Sequence, residues 1–258
     1  MRISLEGKAA LVTGGARGIG LAAVRALAEA GAQVAATSRA GAEALRELAA
    51  SRPVMHIPVN AATASGAQQA VAAAVARFGR LDILVNNIGA TDPSAGAGFT
   101  ALTDREWGEM LEVNLMSVIR VTRAALPYLL GSGNASVVNV STMNAIMPIP
   151  FLFAYSASKA AVTNLTMNLA ETYAAQGVRF NTVAPGPTRT DLWAGRMPES
   201  GDEEAVRAFA REQLGIPLGR LAEPEDVAHL IVFLASDRAA MITGSDYIID
   251  GGLVRTIH

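Results

Sequence analysis

Between Ala9 and Gly31 the sequence reads AALVTGGARGIGLAAVRALAEAG, and this run constrains the fold more than any other. Apolar Ala9-Ala10-Leu11-Val12 has the length of a strand buried on both faces. It passes into Gly14-Gly15-Ala16-Arg17-Gly18-Ile19-Gly20, after which Ile19, Ala22, Ala23, Ala26 and Leu27 recur at helical spacing up to a glycine stop. A strand, a glycine turn and a helix in that order make an anion site. The first helical N–H groups have no partner, they carry the positive end of the macrodipole, and glycine keeps Cβ atoms out of the way. A nucleotide cradle is the functional reading; a ligand-free tight turn is the alternative on the G-x-x-x-G-x-G spacing alone.

Further strands are expected at Gln33–Thr37, Val54–Val59, Leu81–Val85, Ser136–Val140, Val178–Val183 and Tyr247–Ile249. Helices alternate with them: about ten residues from Ala42, then Ala64–Phe78, then a long one opened by the capping box Thr103-x-x-Glu106 and reaching Leu130. Pro127 near its end predicts a kink or early stop. Tyr155–Gln176 and a final helix from Pro224 to Ala235 complete the set. Strict alternation predicts a single doubly wound Rossmann-type α/β domain over 1–258, with a parallel sheet of about seven strands and helices on both faces. Its ligand belongs beyond the carboxyl ends of the strands, at the switch point. The charged, irregular stretch 191–219, with one helix near Glu203–Gln213, is expected to be a substrate lid.

Composition removes other classes. With 51% hydrophobic and 17% charged residues, net charge −2 and no basic run, neither a nucleic-acid nor an anionic-membrane surface is expected. The absence of cysteine excludes disulfides, thiolate catalysis and zinc–thiolate sites. His56, His229 and His258 share no ligand spacing, so no metal site is expected. No apolar signal core or membrane-length run is present, and a soluble cytoplasmic protein is the expectation.

Tyr155-Ser156-Ala157-Ser158-Lys159 places a phenol and an ammonium one helical turn apart. A phenol near pKa ~10 is a poor base at neutral pH, and a neighbouring cation favours its ionised form. On its own the pair is equally an amphipathic helix with a snorkelling lysine. Together with TGGARGIG, NNIG at Asn86–Gly89, Asn114 in EVNLMS, PGPTRT at Pro185–Thr190 and TGSDYIIDGG, it resembles the short-chain dehydrogenase/reductase family over essentially the whole chain.

That resemblance implies Tyr155 as acid/base, with Lys159 holding the nicotinamide ribose and lowering the tyrosine pKa. It implies that Asn114 bends its helix and anchors a water linking Lys159 to solvent. Gly14, Arg17, Gly18, Ile19 and Gly20 would cradle the cofactor, with Asn86 and Gly89 on the adenosine side and Pro185, Gly186, Thr188 and Thr190 at the nicotinamide and phosphates. It also implies a homotetramer, or a homodimer. Two positions depart from the family pattern. Thr142 stands where a serine is usual, thirteen residues before the tyrosine, with Ser141 as the fallback; the threonine hydroxyl keeps the same donor and acceptor. Asn60-Ala61 replaces an aspartate that touches adenine.

Ser38 occupies the position where NAD-selective folds carry a carboxylate, and Arg39 and Arg17 flank it, so NADP(H) is favoured over NAD(H). Each arginine alone is equally an exposed surface residue. Met147, Phe151 and Phe153 with Trp193 and Met197 are candidates for an apolar pocket, or for core or subunit packing. Arg196, Arg207 and Arg211 lie on the lid without forming a convincing carrier or coenzyme A docking site. The expected activity interconverts a small-molecule ketone, a 3-oxoacyl or other apolar carbonyl, and its secondary alcohol, with the hard chemistry supplied by the cofactor. An NAD-dependent dehydrogenase working oxidatively, a longer-chain epimerase or dehydratase, and a non-catalytic dinucleotide sensor are the alternatives.

Overall fold

The computed structural model describes residues 3–39, 43–92, 98–194, 197–198 and 202–255. Seven strands form one parallel sheet: β1 Ala9–Val12, β2 Gln33–Thr37, β3 Val54–Ile57, β4 Ile83–Asn86, β5 Ala135–Val140, β6 Val178–Pro185 and β7 Asp246–Ile249. Their order is β3-β2-β1-β4-β5-β6-β7, so the chain reverses direction at β1, which pairs with both β2 and β4. The crevice at that reversal is where a doubly wound sheet accepts a ligand. β3 ends at Ile57 rather than Val59 because Val59 N turns back to donate to the Ile57 carbonyl at 2.9 Å instead of reaching β2.

Strand alternation sorts the core into two layers. Ala10, Val12, Ile83 and Val85 face α1 (Gly18–Glu29) and α9 (Pro224–Ala235). Leu11, Leu84 and Val137 face α3 (Ala64–Phe78) and α5 (Ser117–Ser132). Burying a leucine completely is worth about 1.5–3 kcal/mol, so these fully buried side chains anchor the sheet edge that carries the site. On α3 the local signals agree with the fold: the Thr63 hydroxyl accepts from Gly66 N, and Gly79 ends the helix in the left-handed region.

The expected long helix is divided. α4 (Asp104–Leu111) opens with the Thr103–Glu106 capping box, a five-residue π turn follows at Glu112–Met116, and α5 then runs through Pro127 to Ser132. Proline does not end it because Val121, Ala125 and Leu129 dock α5 into the core on both sides of the break. α6 (Phe153–Tyr173) begins two residues before Tyr155. In the insert, α7 spans Asp191–Ala194, and the single helix expected near 203–213 is α8 (Glu203–Ala208) continued by a π turn, Phe209–Gln213. α2 covers Glu43–Ser51.

Candidate active site

The turn after β1 is shaped by close approach. A Cβ on Gly20 would lie 2.2 Å from the Gly14 carbonyl oxygen, so α1 packs onto the turn only with glycine there. Gly18 has φ +52°, and its vacant Cβ position faces Thr190 Cγ2 at 3.2 Å. α1 has no side-chain cap and no acidic residue in its first turn, so its leading N–H groups are left for a ligand. A cleft of about 1240 Å3 opens above them, across the ends of β1, β2 and β4. Gly14, Arg17, Gly18, Ile19, Gly89 and Thr190 all line it. Cradle, uncapped helix and cleft fit a dinucleotide diphosphate.

At the far end Ser38, Arg39, Asn60 and Ala61 line the same cleft. The Ser38 hydroxyl hydrogen-bonds His56 Nε2 at 2.9 Å, a contact no histidine spacing in the sequence suggests. Asn60 uses its Oδ1 to accept from Ala62 N at 3.2 Å, and Ala61 is buried in the core. Arg17 pairs with Asp191 at 3.7 Å, both side chains largely exposed.

Asn86 is not on the cleft. Its Nδ2 donates to Thr122 Oγ1 (3.1 Å) and Asn139 Oδ1 (2.8 Å) beneath the sheet edge, because strand alternation turns it to the same face as Leu84. Asn87 lines the cleft instead and donates to the Gly14 carbonyl at 3.1 Å. Pro185, Gly186 and Thr188 are likewise set back. Pro185 pairs with Ile249, a Cβ on Gly186 would press Asp250 Cβ at 2.6 Å, and buried Thr188 donates to the Gly186 carbonyl at 3.0 Å. They shape the turn that presents Thr190.

The four remaining residues gather where β5 meets α6. Lys159 Nζ donates to the Val140 carbonyl at 2.8 Å, and its burial lowers the ammonium pKa to about 8. A Cβ on Gly89 would lie 3.2 Å from both Lys159 Nζ and Asn114 Oδ1, which places these groups together under the cleft floor. Asn114 sits inside the π turn; its Oδ1 accepts from Ala90 N (2.9 Å), and its Nδ2 donates to Ala90 O (3.0 Å) and Ser158 Oγ (3.1 Å). The Thr142 side chain lies beside the Tyr155 phenol, whereas Ser141 turns back to the Lys159 carbonyl (3.2 Å) and Thr163 Oγ1 (3.1 Å). The geometry therefore selects Thr142 over Ser141 as the hydroxyl beside the phenol.

Burial pushes the Tyr155 phenol above its usual value, the Thr142 hydrogen bond opposes that rise, and the Asp92 carboxylate adds to it. The family resemblance implies a tyrosine lowered by Lys159. Here desolvation is the largest influence and the net direction is upward.

A profile described as enoyl-(acyl carrier protein) reductase matches residues 14–254. The chain belongs to the short-chain dehydrogenase/reductase family. It is 37% identical over 254 residues to the 3-oxoacyl-acyl-carrier-protein reductase of Thermotoga maritima, covering 97% of this chain and 99% of that protein. It is 40% identical over 250 residues to a cis-4-hydroxycyclohexanecarboxylate dehydrogenase of Sinomonas cyclohexanicum, covering 95% and 96%. An NADPH-bound short-chain oxidoreductase from Pseudomonas aeruginosa PAO1, described as containing an atypical catalytic centre, superposes with TM-score 0.91 at 36% identity, covering 99% and 100%. As a short-chain dehydrogenase, the chain is an oxidoreductase.

The apolar pocket expected of this short-chain dehydrogenase divides into two groups. Phe153 stacks edge-on with Phe99 and Phe151, at 5.5 and 6.4 Å between ring centres, and Phe99 with Trp107 at 6.4 Å. Trp193 and Met197 pack instead with Ala210, Ile216 and Leu221 in a small core of the insert. Met197 also borders a second cavity of about 480 Å3 between α1, Arg189 and Pro224. Arg196 and His258 lie outside the described residues. Among the described residues no cluster of potential metal ligands occurs, and no helix is long and apolar enough to cross a membrane. Asp92 is absent from the sequence-derived set, yet it is buried against the first turn of α6.

Proposed function

We propose that the chain is an NADP(H)-dependent oxidoreductase that interconverts a ketone and a secondary alcohol. The observation carrying this reading is the Tyr155 phenol beside the Thr142 side chain, one helical turn from the buried ammonium of Lys159. A nicotinamide dinucleotide bound in the cleft supplies the hydride. Thr142 orients the carbonyl oxygen with its hydroxyl, and Tyr155 gives that oxygen its proton; in the reverse direction the phenolate takes it back. Lys159 holds the ribose, and Asn114 keeps the Gly89–Ala90 floor and α6 in register.

Cofactor preference rests on Ser38, which presents no carboxylate to a phosphate, and on Arg39 beside it. The P. aeruginosa relative holding NADPH supports the same choice. Residues 191–219 act as the lid over the substrate. Exposed Leu111, Tyr128 and Met167 on α4, α5 and α6 favour assembly as a homotetramer.

A panel of ketones and alcohols assayed with NADPH, NADP, NADH and NAD tests the reading. Tyr155→Phe is expected to lower kcat by about 10²–10⁴ while NADPH binding persists. Undiminished turnover in that variant overturns it.

A further inference from the structure

We propose that His56 is a specificity-determining residue at the ribose end of the cleft: through the Ser38 hydroxyl it reads the 2′ substituent of the dinucleotide, and seating a 2′-phosphate there takes up a proton at the imidazole. This rests on the reading of the cleft as an NADP(H) site.

The sheet assembles the pair. β3 is an edge strand, and its His56 stands opposite Ala36 of β2. Ser38 lies two residues beyond Ala36, hence on the same face. Ser38 N donates to the Ile57 carbonyl at 3.3 Å, which keeps the chain beyond β2 alongside β3. The two half-buried side chains then meet, with 2.9 Å between Ser38 Oγ and His56 Nε2. Ser38 and Arg39 line the cleft. Whatever occupies its far end meets a hydroxyl whose hydrogen is governed from the next strand.

Neutral imidazole carries one N–H. With that hydrogen on Nδ1, Nε2 accepts from Ser38, and the hydroxyl offers the cleft only lone pairs. With it on Nε2, the ring donates and the Ser38 hydrogen is free for the cleft. Imidazolium permits only the second arrangement, because both of its nitrogens donate. A phosphate dianion accepts and does not donate, so it demands the second arrangement, and the added cation strengthens its binding. A ribose 2′-hydroxyl donates as readily as it accepts and makes no such demand.

The other charges around the pair do not replace this coupling. On the helix side α2 carries exposed Glu43, Arg46 and Glu47, with Glu43 and Arg46 paired to each other, and Glu29 of α1 is paired with Arg52 at 3.1 Å. On the cleft side stand Arg39 and Arg17, the latter held by Asp191. Arginine stays charged throughout, whereas histidine is the side chain that changes charge between about pH 5 and 8.

Isothermal titration calorimetry near pH ~7, in buffers of different ionisation enthalpy, counts the protons exchanged when NADP or NAD binds. The wild-type protein is expected to take up protons with NADP and not with NAD. His56→Gln keeps a donor and an acceptor at this position without titrating, and should lose that uptake. Ionisation of the phosphate itself, near pH ~6, has the opposite sign, since surrounding cations expel its last proton. Between about pH 6 and 8 the wild-type affinity for NADP relative to NAD is expected to fall about fivefold, the difference between a charge-assisted and a neutral hydrogen bond. Equal proton uptake in wild type and His56→Gln, or a ratio that stays level or rises with pH, overturns the proposal. Should His56→Gln fail to fold, the wild-type ratio decides alone. Failure of both dinucleotides to bind would instead sink the reading of the cleft, so the two failures are distinguishable.

Discussion

Lys159 Nζ donates to the main-chain carbonyl of Val140 across 2.8 Å, with only 3% of the lysine exposed. An ammonium so placed exchanges bulk hydration for one buried acceptor, and its pKa falls from 10.5 to about 8. Unfolding restores the higher value. Between about pH 8 and 10.5 the unfolded chain binds the extra proton, so this group adds stability as pH rises through that window. Lys159→Met removes the dependence and, with it, turnover. Its stability relative to the wild-type protein is expected to drop by on the order of 3 kcal/mol between pH 7 and 10.5, measured by urea unfolding at each pH. A constant difference would mean that the ammonium is not desolvated.

The two hydroxyls after β5 separate function from packing. Thr142 lies beside the phenol and also accepts from Asn144 N at 3.3 Å, whereas Ser141 is bonded back onto α6. Thr142→Val is expected to lower kcat by about 10²–10³, the usual loss when one donor to a developing oxyanion is removed, while Thr142→Ser stays within tenfold of wild type. Ser141→Ala should keep kcat and lose about 1 kcal/mol, or 2–4 °C in Tm. The reverse pattern in paired kinetics and thermal melts would make Ser141 the active hydroxyl.

Asp82 supports the sheet at the edge away from the cleft. Although burial pushes its carboxyl up, the Arg80 guanidinium at 2.7 and 2.8 Å, the Ser132 hydroxyl and Ala9 N at 2.9 Å together hold it below the usual value. An unfolded carboxylate takes its proton near pH ~4, before the folded one does, so this stability is present above that pH and lost as pH falls through the folded value. Arg80→Ala is expected to cost about 1.5–3 kcal/mol at neutral pH and to shift acid unfolding to higher pH. kcat should be unchanged. Circular dichroism against pH checks the direction.

What could be read from sequence follows the range of the forces involved. Ala64–Phe78 was legible to the residue because Thr63 and Gly79 are local stops. The glycine cradle and the Tyr155–Lys159 spacing were legible for the same reason. The π turn at Glu112–Met116 was legible only through the family resemblance, which implies that Asn114 bends its helix; EVNLM itself is ordinary helical sequence, and the turn coincides with Asn114 reaching both main-chain groups of Ala90. Asn86 had a readable signal: the period-two alternation that puts Leu84 against the helices puts Asn86 there too, leaving Asn87 for the cleft. His56 meets Ser38 only through the β2–β3 register, and Asp92 meets α6 only through the tertiary fold. No spacing in the chain announces either contact.

Under the proposed NADP(H) preference, cofactor choice is expected to fall to Arg39 more than to Arg17. Arg17 is already paired with Asp191, in an exposed pair worth little in itself but competing for the same guanidinium. Arg39 lines the cleft beside Ser38, whose hydroxyl is fixed by His56. A charge-assisted hydrogen bond is worth about 1.5–3 kcal/mol, which corresponds to roughly 10- to 150-fold in kcat/KM. Arg39→Ala is therefore expected to lower the NADPH-to-NADH ratio of kcat/KM by at least about tenfold, chiefly through KM for NADPH. Arg17→Ala should change it less. Ser38→Asp, which places a carboxylate where a 2′-phosphate would lie, should invert the preference by repulsion. Ratios unmoved in both Arg39→Ala and Ser38→Asp would mean that this end of the cleft does not read the phosphate at all.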